Sequence, residues 1–200
     1  MPAAAKPESA RREQLLERCY EYVLQHGLAY VSLRPLATAV GSSPRVLLFL
    51  FGSKDELVRE LLARARAEET ELPALSSADA DLPAAARQVW EWLAADRHRG
   101  LLRLWVESYA RSLIEPDGPW GPFARATVRD WLGLLRSAQP EAIRDTEAGI
   151  AQRTLVLAVL RGALLDLLAT GDRERTTQAV RHALSARGLE PCVGDHLQMG

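Results

Sequence analysis

Apolar residues recur every three to four positions along most of the chain, and no stretch alternates apolar and polar residues as a half-buried strand does. After a polar start, Leu15, Leu16, Cys19, Tyr20, Val23 and Leu24 form one stripe that Gly27 closes, predicting a first helix. The next segments are short and sharply punctuated. Ser32 stands as an N-cap, Val31 and Leu36 are spaced as a hydrophobic staple, and Pro35 falls in the first turn. A second helix is therefore expected from Leu33 to Val40, stopped by Gly41. Ser43 caps a third helix with Pro44 at its first position, ending at Gly52. Ser53 starts a fourth, in capping-box register with Glu56 and with Leu57, Leu61, Leu62 and Ala65 on one face.

From Glu71 to Leu82, Pro, Ser, Ala and Asp prevail, and the segment reads as a loose connection. Beyond it, helices are expected at Arg87–Asp96, Leu101–Leu113, Phe123–Ser137 and Glu147–Ala169, with a last one capped by Asp172. In that last helix Ala179, Val180, Ala183 and Leu184 form the inner face. The Glu147–Ala169 helix is apolar nearly all round, and its Arg161 and Asp166 are expected in an ion pair or a partner contact, because unpaired buried charge is costly. The expected fold class is all-α, with an N-terminal three-helix helix-turn-helix unit and the fourth helix after it, together over 9–69, and a helical body over 83–190.

Composition leaves this picture intact. The chain is 48% apolar and 26% charged, so its 200 residues can bury a core without metal or disulfide. Its two cysteines, Cys19 and Cys192, lack ligand spacing, which fits a reducing compartment. The start, MPAAAKPESA, has no apolar segment of a secretory signal, and the most apolar run, Thr154 to Thr170, is short for a bilayer span. A cytoplasmic location without membrane contact is expected. His26, His98, His182 and His196 are scattered, and no nucleophile elbow, phosphate loop or metal motif occurs. Neither an enzyme nor a cofactor is expected.

The formal charge of −1 argues against a nucleic-acid partner until its distribution is considered. No acidic residue lies between Glu21 and Asp55, although Arg34, Arg45 and Lys54 do. Within that window, residues 32–51 read SLRPLATAVGSSPRVLLFLF: a short helix, a tight turn with Gly41, and a second short helix. Small Ala37 sits where the two helices must cross closely. A helix that enters the major groove carries its reading residues near its N-terminal end, here Ser43 and Arg45. An apolar core segment with scattered surface arginines would have the same charge pattern.

The run GSSPRVLLFLFGSKDELV resembles the signature of the TetR family of transcriptional regulators, and the match extends over about Ser9 to Glu69. The resemblance implies a homodimer that binds palindromic double-stranded DNA through the helix-turn-helix. It also implies a body that binds a small ligand and dimerises through its last two helices. Carried onto this chain, it puts Arg34, Arg45 and Lys54 at DNA, with Ser32 and Ser43 as caps that also touch the backbone or bases. Family members usually have Tyr and a polar residue before the helix-ending Phe. Leu48, Phe49 and Leu50 stand there instead. This departure leaves several readings open: fewer phosphate contacts and a weaker salt dependence, Leu48 or Phe49 against deoxyribose or thymine methyl groups, or a surface that binds protein without operator DNA. The caps, the acid-free window and Lys54 favour DNA.

All five tryptophans fall between positions 90 and 131. Trp90, Trp105, Tyr109, Trp120, Phe123 and Trp131 each fit ordinary core packing; as a group they suggest an apolar pocket for a small apolar or aromatic effector. Glu107, Ser108 and Tyr109 are its candidate polar groups. The function that results is a regulator, a repressor released from its operator by that effector.

Overall fold

A computed structural model describes residues 7–28, 32–69 and 81–185, all of it helix and connecting turn. In chain order the helices are α1 (Pro7–His26), α2 (Leu33–Ala39), α3 (Pro44–Phe51), α4 (Lys54–Glu69), α5 (Leu82–Leu93), α6 (Arg99–Ile114), α7 (Phe123–Ser137), α8 (Glu141–Arg144), α9 (Glu147–Thr170) and α10 (Arg173–Ala183), with one 3₁₀ turn over Asp96–His98. Two compact units result. The first holds α1–α4, α6 and the start of α7 up to Val128; the second holds α5, the rest of α7, and α8–α10.

In the first unit α1 packs on α2, α4 and α6, and α4 packs on α3 and α6. Tyr20, Val23, Leu36, Leu47, Leu57, Leu61, Leu101 and Leu104 are buried at their meeting. Charged side chains tie α1 to its neighbours around this core. Arg64 grips both carboxylate oxygens of Glu17 at 3.0 Å, and its guanidinium lies 4.8 Å above the Tyr20 ring. Arg12 pairs with Glu60, donates to the Leu50 carbonyl at 3.1 Å and lies 5.0 Å over Phe51. From α6, Glu107 reaches back past the end of α1 and accepts the Leu28 backbone N–H at 2.9 Å. Gly100 makes that approach feasible, since a Cβ there would stand 3.0 Å from the Leu24 carbonyl oxygen. Glu107 thus serves as a tie between helices. Beside it, Ser108 is buried and donates to Leu104 O at 2.7 Å.

In the second unit α5, α9 and α10 pack on one another, and α8 packs on α9. Ala85, Val89, Leu135, Val156, Leu160 and Val180 are buried there. Asp166 has its ion-pair partner in α10, where Arg175 meets its two oxygens at 2.7 and 2.8 Å; this bond holds the carboxyl below its usual pKa. Arg161 is half-buried.

Several local expectations need correction. Ser32 occupies the N-cap position with extended backbone, but its side chain makes no capping bond. Val31, the other half of the staple, lies outside the described residues. α5 starts at Leu82 because Asp81 caps it, accepting from Ala84 N at 2.8 Å, with Pro83 in the first turn. The segment read as connection thus ends in a helix start. Ala179 faces outward, so Thr176, Val180 and Leu184 make the inner row of α10. Cys192, His196 and the Glu69 side chain lie outside the described residues.

Cys19 is fully buried on α1, and burial pushes its thiol up to about 11 from an ordinary value of 9.0. The unfolded chain ionises this thiol first. Its contribution to stability is therefore intact below about pH 9, is lost progressively as the pH climbs towards 11, and changes no further above that. The gap in urea midpoint between wild type and Cys19→Ala should shrink across this window; a gap independent of pH contradicts the burial effect.

Candidate nucleic-acid interface

The α2–turn–α3 segment is built by local chemistry. Gly41 takes φ +67°, a left-handed conformation that suits glycine, and the chain reverses with Ser42 N bonded to Ala37 O at 2.8 Å. Ser43 then caps α3, accepting from Val46 N at 3.3 Å, with Pro44 at the first position. Inward, α3 spends Leu47 and Phe51 on the core; outward, it presents Arg45, Leu48 and Phe49. Phe49 is 75% exposed and Leu48 40%. Ser53 caps α4 as expected, accepting from Glu56 N at 3.0 Å, while the Glu56 carboxylate pairs with Arg59.

Each residue proposed to meet DNA is on the surface: Ser32 just before α2 and Arg34 on it, Ser43 just before α3 and Arg45, Leu48 and Phe49 on it, and Lys54 at the start of α4. All seven fall in the first unit, on consecutive packed elements. The acid-free window ends where Asp55 and Glu56 occupy the first turn of α4. Sequence reasoning missed Arg12 and Arg18 of α1, which bind the Leu50 carbonyl of α3 and the Val40 carbonyl after α2, the latter at 3.4 Å. Their targets are helix-end carbonyls, which no sequence pattern singles out.

The six aromatic candidates divide between the units. Trp105, Tyr109, Trp120 and Phe123 belong to the first, Trp90 and Trp131 to the second. Trp105 stacks on Tyr109 with ring centres 5.1 Å apart, and Arg111, beside Glu107, lies 5.1 Å over the Trp120 ring. Trp90 donates its indole N–H to Thr177 Oγ1 at 3.0 Å. A pocket of about 150 Å³ opens in the first unit beside α4, between Leu62 and the Pro119–Phe123 turn, with Arg59 and Arg66 at its edge; of the six, Phe123 lines it. That volume is well under the roughly 300 Å³ at which drug-sized sites begin. Among the described residues no cluster of His, Cys, Asp and Glu could hold a metal, and no helix is long and apolar enough to cross a membrane.

Solved structures repeat this architecture. EbrR, a multidrug binding protein crystallised with proflavin, is 27% identical with a TM-score of 0.61, over 87% of this chain and 99% of that one. Its imidazole complex gives 28% and 0.63, over 92% and 93%. A transcriptional regulator from Rhodococcus sp. aligns at TM-score 0.72 with 18% identity, over 86% and 93% of the two chains. A TetR transcription regulator from Haloarcula marismortui aligns at 0.70 with 16%, over 88% and 95%. No family model matches the sequence, and no curated protein matches it. The chain has the fold of the TetR family of transcriptional regulators.

Proposed function

We propose that the protein is a sequence-specific DNA-binding transcriptional regulator that acts as a homodimer on a palindromic operator and is released from it by a small apolar or aromatic ligand. The observation that carries this is the capped, outward-facing α3 with Arg45 in its first turn, set in a stretch free of acids. Residues 9–69 read DNA, and residues 83–190 bind the effector and join the protomers. It is not an enzyme.

Arg45→Ala should reduce discrimination between specific and random duplexes, because arginine reads guanine edges with paired hydrogen bonds worth about 1–3 kcal/mol. Lys54→Ala should weaken all duplexes alike and lower the salt slope by about one unit. Genomic fragments selected on the purified protein, then competed against random DNA across a salt series, test both. Selection of no fragment over random DNA sinks the operator reading. The exposed Phe49 and Leu48 would then favour a module that binds protein through the same helix.

The dimer reading rests on α9. Its inner row, Val156, Leu160, Leu164 and Leu167, is buried, while Ala151, Leu155, Ala158, Gly162, Leu165 and Ala169 run down the opposite side, all exposed. Alternating steps of four and three are those of a helix-packing seam, and Gly162 lets two backbones approach. A two-fold axis would bury this stripe against itself.

The effector reading rests on the pocket where residues 119–123 of the body meet α4, with Phe123 of the six aromatic candidates in its wall; EbrR, a protein of similar fold, was crystallised with proflavin. α4 is the lever, since Lys54 stands at its start and Leu62 lines the pocket further along. A ligand works the switch only by preferring one of two α4 positions. Tryptophan fluorescence titration paired with operator binding tests this; saturable quenching without change in operator affinity removes the coupling.

A further inference from the structure

On α3 the position one turn beyond Arg45 is Phe49, so the two share a face, with Leu48 beside them. Leu47 and Phe51 already fill the inward positions, yet Phe49 lies 75% exposed on the outward side of the same helix. None of Leu48, Phe49 and Leu50 has a side-chain hydrogen-bond donor or acceptor, so this half of the helix can read only something apolar. On a base-pair edge in the major groove, the apolar feature is the thymine C5 methyl. The surroundings favour DNA over an apolar protein partner, because Arg34, Arg45 and Lys54 are exposed on the same three packed helices and no acid interrupts residues 22–54.

We propose that Phe49, flanked by Leu48, recognises a thymine methyl group in each operator half-site. This rests on the reading of α3 as a DNA-reading helix and adds what that helix selects. Four residues of helix advance about 6 Å, and stacked base pairs about 3.4 Å. The thymine therefore lies about two base pairs from the guanine met by Arg45. Specificity is split along the helix: hydrogen bonds at its start, apolar contact one turn later.

The test uses the full chain and the duplex it selects from a randomised library. Each thymine is replaced singly by deoxyuridine, which removes the methyl group and keeps every hydrogen-bonding atom. One thymine per half-site should lose about fourfold in affinity on replacement, the worth of one buried methyl-sized group. In Phe49→Ala that difference should vanish, while the guanine preference set by Arg45 persists. A selected duplex that binds wild type equally well with uridine at every position overturns the proposal and leaves the DNA reading standing. Equal uridine sensitivity in wild type and Phe49→Ala assigns the methyl to another residue and also overturns it. Failure to select any duplex overturns the DNA reading itself, and this proposal with it.

Discussion

A protein carrying both Leu155→Glu and Leu165→Glu should sediment as a monomer and lose about 10²–10⁴ in operator affinity. The two leucines stand 47% and 49% exposed on the outer stripe of α9, so carboxylates there stay solvated in a lone chain but are buried in pairs across a two-fold seam. The inner row from Val156 to Leu167 is untouched, and the helix should keep its circular dichroism. The loss at the operator needs no change at α3. Joining two reading helices makes the second half-site contact intramolecular, and a monomer forfeits that advantage. A variant that still sediments as wild type moves the seam elsewhere. A monomer with full operator affinity ends the two-half-site account.

Leu47→Ala should destabilise the first unit by about 2–5 kcal/mol, whereas Leu48→Ala, one residue on, should cost less than about 0.5 kcal/mol. Leu47 is buried between α3 and its neighbours, and truncation leaves a cavity that helices pinned by Arg12 and Arg64 close only in part. In a chain of this size the shift corresponds to roughly 5–15 °C in Tm. Thermal melts followed by circular dichroism measure it, and equal effects of the two substitutions would place the core face of α3 wrongly. The melt also asks whether the two units unfold together.

The ends of α1, α3 and α9 were legible because glycines stop them, and α3, α4 and α10 were legible at their starts because Ser43, Ser53 and Asp172 cap them through side-chain bonds. α5 begins five residues before Arg87, where periodicity predicts its start, since a Pro-containing, polar lead-in looks alike whether it joins helices or begins one. α8, a single turn, is too short for periodicity to register. The exposed residues proposed to meet DNA could be named because one acid-free stretch, Ser32 to Lys54, holds them all. The tryptophans show the opposite case: neighbours in sequence, they are parted between two units by helix order, which spacing does not encode. Glu107 reads in the sequence as a polar group for a pocket, because its target, the backbone N–H of Leu28, lies 79 positions away.

That single carboxylate has a bearing on protein engineering. Recombining reader modules between regulators assumes that the leading helices form a cassette. Here residues 7–69 cut from the rest would leave the Leu28 amide without its acceptor, and would expose the α1 backbone at Leu24 that is shaped to receive Gly100. A working chimera must import a glycine and an acid seven residues apart on the host's own docking helix. The leading helices and the host helix form a matched pair, and the operator preference proposed for this chain could be exchanged only along with that match.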